Sequence, residues 1–231
     1  MIGILVQLAL SWIFLWLVYK KDLRVLGFVP TGRRLGDFII FFSVTGLLCA
    51  SGFGLRMLLA DQHWQLNPEA TGRLVVDGVW WNFKSVMFEE LIFRGALFYF
   101  LIQKLGAKRA IWIGAAAFGV YHWFSHGTFG NPVAMVWDFT ITGAMGLVLG
   151  YGFARTGSLY LPVAIHLGWN YVQQSIFSSG PIGNQLFIPV EPQPQNNLTV
   201  AVWLFVTFFP VISVLALNAW LIRWRTQGRN P

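Results

Sequence analysis

The residues with chemistry to offer are few, and they stand in apolar company. Phe88 to Gly95 reads FEELIFRG, two adjacent carboxylates and an arginine set between the hydrophobic stretches WWNFKSVM and ALFYFLIQ. Further along, FGVYH ends in His122, and HLGWN carries His166 and Asn170. A carboxylate, two imidazoles and an amide in one pocket suffice to bind a metal, or to activate a water and stabilise an oxyanion. Helix geometry separates the two glutamates. Successive residues are about 100° apart around a helix, so Glu89 and Glu90 cannot aim at one point, whereas Glu90 and Arg94, at i and i+4, share a face. Glu90 with Arg94 therefore reads as an intrahelical, supporting ion pair. Glu89 is left without a local cation, as suits a general base working on water. His166 and Asn170 are also spaced i, i+4 and present an imidazole and an amide on one face.

The surroundings of these groups define the solvent. The hydrophobic fraction is 56% and the charged fraction 11%, with 12 Trp and 21 Phe in 231 residues. Mean hydropathy is +0.59. An ordinary soluble domain carries about 25% charged residues, so the chain reads as an integral membrane protein. Almost all of it is consumed by apolar runs of the length needed to cross about 30 Å of hydrocarbon, which makes 1–231 a single membrane domain. The net charge of +7 would suggest nucleic acid in a soluble protein. Here the basic residues fall in loops beside the spans, so nucleic acid is excluded as a partner and the lipid bilayer takes its place.

The fold class expected is all-α, a polytopic membrane helix bundle of about seven transmembrane helices, with six to eight compatible. Spans fall at about 2–19, 36–60, 74–103, 110–126, 132–154, 159–178 and 199–222. The loops after the first, third and fifth spans and the C-terminal tail hold twelve of the sixteen Lys and Arg residues. The positive-inside rule then gives an outer N-terminus and a cytoplasmic C-terminus. Two features could change that parity: an interfacial GRLVVDGVWWNF segment, or a break at Pro210. The stretch 178–198 reads as a polar outer loop, and its Asn197-Leu198-Thr199 matches a glycosylation pattern. With about 1.5 Å rise per residue, Glu89 lies about 20 Å from the cytoplasmic end of its span and His122 about 18 Å. The two can therefore meet.

An ionisable residue at the bilayer centre costs at least roughly 2.5 to 3.5 kcal/mol, so each polar residue left inside a span asks for a reason. Those residues are Asp77, Lys84, Glu89, Glu90, Arg94, His122, Asp138, His166 and Asn170. Lys84 and Asp138, at matching depth, are expected to form a buried structural pair. His126, one turn beyond His122, is expected at the solvated outer end of its span. Cys49 reads as a small buried hydrophobe. Trp80, Trp81, Trp123, Trp203, Trp220 and Trp224 fall near span ends, where indoles favour the interface. The small-residue runs GAAAFG (114–119) and GAMGLVLGYG (143–152) permit close helix approach.

The three motifs together resemble a known family. EELIFR (Glu89 to Arg94) is similar to an EExxxR motif, FGVYH (Phe118 to His122) to FxxxH, and HLGWN (His166 to Asn170) to HxxxN. This is the signature set of the CAAX prenyl endopeptidase and bacteriocin-processing (CPBP, or Abi) family of intramembrane proteases. The resemblance covers roughly 75–178. It implies an intramembrane endopeptidase acting on membrane proteins or peptides, which in one branch are prenylated. Carried over by position, Glu89 would be the base that activates water and His122 would assist it. His166 with Asn170 would bind a metal or stabilise the oxyanion, and Glu90 and Arg94 would support them. The resemblance leaves both a metalloprotease, with zinc or another divalent ion on His122, His166 and Glu89, and a metal-independent glutamate enzyme. The HExxH pattern of many zinc proteases is absent, and a liganding Glu89 could not also serve freely as base. Two other classes compete with the protease: a non-proteolytic scaffold or bacteriocin-immunity protein of the same fold, and a proton-coupled transporter. A transporter would be expected to show related halves, and the sequence has no internal repeat.

Overall fold

A computed structural model describes residues 1–190 and 198–228. It contains the helices α1 (Ile2–Tyr19), α2 (Gly32–Leu59), α3 (Gly72–Arg94), α4 (Ala96–Leu105), α5 (Ala107–Ser125), α6 (Pro132–Thr156), α7 (Tyr160–Tyr171) and α8 (Val200–Arg225). Four of these open on a side-chain cap that the sequence supplies. Thr31, Thr71, Asn131 and Thr199 accept the backbone N–H groups of Arg34, Leu74, Ala134 and Val202. Each satisfies a donor that the first helical turn leaves free.

The molecule is an integral membrane helix bundle. Helices α1, α2, α6 and α8 are each long and apolar enough to cross a membrane on their own. Their outward residues, such as Leu5, Leu47, Val133 and Val200, are exposed, as apolar groups facing lipid should be. Helices α3, α5 and α7 fall short of that measure because they hold the charged and polar groups or are short. Helix α7 is the innermost, buried continuously from Leu161 to Gly168. It lies against α2, α3 and α6, while α5 packs on α6.

Small residues set the crossings. An added Cβ on Gly119 would lie 2.7 Å from the Phe139 ring, and one on Gly146 would lie 3.0 Å from Ala115 Cα. Both runs of small residues thus mark the α5–α6 seam. Between α2 and α8 the seam is polar at two levels. Asn218 donates to Thr45 Oγ1 at 3.0 Å and to the Val214 carbonyl, and Arg225 Nε donates to Asp37 Oδ1 at 2.6 Å.

Several expectations need correction. The single span 74–103 is two helices, because the chain breaks at Gly95. A side chain there would put its Cβ 2.1 Å from the Leu91 carbonyl oxygen, so only glycine allows this junction. Pro210 does not break α8. Its ring instead packs on Gly52 of α2. The span at 159–178 ends its regular α-helix at Tyr171 and continues as one π-turn, Val172–Ile176. The GRLVVDGVWWNF segment is the regular start of α3. Asp77 is not buried there but pairs with Arg73 at 3.6 Å on an exposed face. Trp81 lines an internal cavity, and Trp123 Nε1 donates to the Met135 carbonyl, so neither is only a belt residue. The polar loop after α7 contains strand β2 (Phe187–Pro189), paired antiparallel with β1 (Trp64–Leu66) from the α2–α3 connection. Asn197 and Arg229 lie outside the described residues.

Candidate active site

The site forms where α3, α5 and α7 meet beneath α6. Its base is the Glu90–Arg94 pair, with Arg94 Nη1 donating to Glu90 Oε1 at 3.2 Å and both side chains inaccessible. The Arg94 guanidinium also donates to the Gly146 carbonyl of α6 and lies 4.3 Å from the centre of the Phe118 ring. A guanidinium buried in a membrane bundle thus has a carboxylate, a carbonyl and an aromatic face around it.

Above this base the two imidazoles are held by their far sides. His122 Nδ1 lies 2.7 Å from the Phe118 carbonyl oxygen. His166 Nδ1 lies 2.8 Å from Glu90 Oε1. A carbonyl only accepts, and Glu90 as a carboxylate only accepts, so each Nδ1 carries the proton. In the neutral rings Nε2 then presents a lone pair. Both Nε2 atoms face Glu89: His122 Nε2 and His166 Nε2 are each 3.9 Å from Glu89 Oε2. The carboxylate that orients His166 is therefore Glu90, a supporting contact of the kind that fixes a ring's tautomer and direction.

The adjacent glutamates have different surroundings, as the helix spacing requires. Glu90 has no exposed side-chain surface, whereas Glu89 retains 13% and faces a cavity of about 440 Å³. His122, His166 and Asn170 line the same cavity, with Tyr121 and Trp169. Glu89 Oε2 and Glu90 Oε2 are both buried without a hydrogen-bond partner. Such orphan acceptors are rare in folded proteins and concentrate where a ligand or reactant completes them.

All four residues expected to be catalytic are brought together, with Glu90 and Arg94 directly beneath them. The predicted Lys84–Asp138 pair does not form. Asp138 accepts from Thr128 Oγ1 at 2.7 Å and faces His126 Nδ1 at 3.4 Å, while the Lys84 ammonium lies over the Trp80 ring. The turn between α5 and α6 decides this, because it folds Thr128 and His126 back onto α6. His126 is half exposed, as expected at a helix end, and it has a carboxylate partner. Two residues contribute in ways not expected from the sequence, although Phe118 opens the FGVYH motif. Phe118 supplies both the carbonyl that orients His122 and the ring that covers Arg94; its place one turn before His122 was the available signal. Asn82 is fully buried on α3 and donates to Ser175 Oγ and the Gly78 carbonyl, locking α3 to the π-turn after α7.

As for a metal, the donor types at the centre suit a divalent cation, but the spacing is wide. Ligands of a tetrahedral zinc with bonds of about 2.0 to 2.1 Å stand about 3.3 Å apart, against 3.9 Å for each nitrogen from the Glu89 oxygen. Among the described residues no three His, Cys, Asp or Glu side chains are arranged to hold a metal ion. A water about 2.8 Å from the Glu89 oxygen and from an imidazole nitrogen suits a separation of 3.9 Å.

The comparisons with known proteins fall on this region. Residues 71–172 match the family model for the Type II CAAX prenyl endopeptidase, Rce1-like. Human CAAX prenyl protease 2 is 27% identical over 135 residues, covering 54% of this chain and 39% of the human protein. The chain thus aligns with about two fifths of that relative's length. No solved structure matches significantly. From α3 to α7, the segment that supplies every residue of the site, this chain is similar to the Rce1-like CAAX prenyl endopeptidases.

Proposed function

We propose that this protein is an intramembrane endopeptidase that hydrolyses a peptide bond near the prenylated carboxyl end of membrane-associated substrates, using a water activated by Glu89 and His122. The observation that carries the reading is the approach of two oriented imidazole nitrogens to one orphan carboxylate oxygen inside a membrane bundle. The name of the human relative supplies the substrate class, a C-terminal Cys-a-a-X sequence with a lipidated cysteine.

A water between the three atoms donates one hydrogen to Glu89 Oε2 and the other to His122 Nε2, leaving a lone pair for the scissile carbonyl. As the water oxygen bonds to the carbonyl carbon, Glu89 takes the water's proton and the carbonyl π electrons move to oxygen. Asn170 donates its amide hydrogens to that oxyanion. His166 adds a second donor when Nε2 also carries a proton, with Glu90 opposite Nδ1 stabilising the doubly protonated ring. Glu89 then passes its proton to the departing nitrogen as the C–N bond breaks, which restores the carboxylate. The distribution of basic residues supports an outer N-terminus and a cytoplasmic C-terminus, the side on which prenylated proteins reside.

Purified protein in detergent or nanodiscs should cleave a prenylated Cys-a-a-X peptide, and Glu89→Gln should abolish cleavage while leaving the thermal transition in place. Unchanged cleavage in Glu89→Gln would reject the mechanism, and no cleavage by the wild type would favour the scaffold reading. A chelator arm separates the two chemistries. Full activity in excess chelator fits the glutamate route, and loss restored by zinc would put His122, His166 and Glu89 on a metal instead.

A further inference from the structure

Arg56 is a basic residue that neither the site nor an ion pair absorbs. It belongs to the last turn of α2, one of the helices able to cross the membrane on its own. Among the described residues no carboxylate lies within ion-pair distance of it, and its guanidinium lies 5.5 Å from the centre of the Phe53 ring. Of the other basic residues inside helices, Arg94 is paired with Glu90, and Lys84 lies over Trp80 on a wall of a different cavity. A half-buried cation in a bundle asks for an anion.

Arg56 lines a second cavity, of about 170 Å³, between α2 and α8. That cavity shares a wall with the catalytic one: Trp137, Ile141, Trp169, Gln173 and Val211 line both. The position of the guanidinium relative to His166 follows from the helices. Cys49 Sγ lies 3.7 Å from the Trp169 carbonyl, so these two residues mark one level of the α2–α7 contact. Trp169 is three residues, about 4.5 Å, beyond His166 along α7. Phe53 is four residues, about 6 Å, beyond Cys49 along α2, and the Arg56 side chain turns back to lie over it. The guanidinium therefore lies beyond the level of His166, on the side of the shared wall. A substrate chain held at Glu89 can therefore extend its end past that wall toward this cation.

We propose that Arg56 forms an anion subsite that receives the terminal carboxylate of the substrate, fixing the distance between the cleaved bond and the chain end. This rests on the protease reading above and adds a residue that determines specificity to it. A guanidinium matches a carboxylate in a planar two-point contact that lysine cannot reproduce. A phosphate headgroup of a lipid has the same chemistry, so the test has to tell the two apart.

Two prenylated peptides of one sequence, one ending in a free carboxylate and the other in an amide, are compared in nanodiscs of zwitterionic lipid and again with anionic lipid. The wild type should cleave the carboxylate peptide with about 10- to 100-fold higher kcat/KM. Arg56→Ala should lower that peptide to the level of the amide, and Arg56→Lys should recover part of the difference. Binding of both peptides to the Glu89→Gln protein reads the subsite without catalysis, and the same preference should appear there. Equal binding of the two peptides, equal losses for both in Arg56→Ala, or an Arg56→Ala effect that follows anionic lipid and not the peptide terminus would each overturn the proposal. A wild type that binds with the expected preference but cleaves neither peptide would sink the protease reading and leave the subsite standing.

Discussion

Two buried polar regions of the bundle solve the same solvation problem differently. In the α2–α8 seam, Thr45, Asn218, Asp37 and Arg225 satisfy one another across the interface. In the α3–α5–α7 cluster the supports are equally well paired, yet two carboxylate oxygens, Glu89 Oε2 and Glu90 Oε2, have no partner. A polar pair that only joins helices can close on itself. A site has to leave acceptors open, and the bundle tolerates the cost only because Arg94, Phe118 and the Phe118 carbonyl hold everything around them.

Substitutions can break or sharpen this contrast. The largest effect is expected from Glu89→Gln, which should remove cleavage of a prenylated peptide at least a thousandfold with the melting transition within a few degrees of wild type. Arg94→Met comes next. It leaves Glu90 as an unpaired buried charge, which should cost about 3 to 5 kcal/mol, seen as a large fall in thermal stability in detergent together with loss of activity. Glu90→Gln should lower kcat by about 10- to 100-fold, because His166 loses the carboxylate that orients it, with kcat falling more than KM rises. At the small end, Asn218→Ala should cost about 1 to 2 kcal/mol with kcat/KM within twofold of wild type. If Asn218→Ala reduced cleavage as strongly as Glu90→Gln at equal stability, the division between seam and site would fail.

Much of the site could be read from the chain because it is helical and in a membrane. Spacing alone separated Glu89 from Glu90 and paired Glu90 with Arg94, and counting residues from the span ends put Glu89 and His122 at a common depth. What spacing could not provide was contact between helices. The Glu90–His166 bond joins residues 76 positions apart, and nothing in either motif points to the other. Asp138 was assigned to Lys84 by depth, but depth says nothing about azimuth, and the turn that carries Thr128 and His126 had no periodicity to read. The break at Gly95 was hidden for a related reason: the apolar pattern runs through it, and the glycine by itself is compatible with a continuous helix.

The β1–β2 ribbon has a consequence for how the molecule is made. Its strands come from the connection after α2 and from the loop after α7, so it cannot close until the helices that hold Glu89, His122 and His166 have all been synthesised. Those two connections are then tied by backbone hydrogen bonds, with Trp64 of the ribbon packed in an edge contact against Phe53 and Phe177. In order of synthesis the ribbon is a latch, fastened after the helices of the candidate site exist. A chain cut in the α2–α3 connection ahead of Trp64 should still have the means to hold its two pieces together, because the latch joins the second piece to itself and packs Phe53 of the first against it.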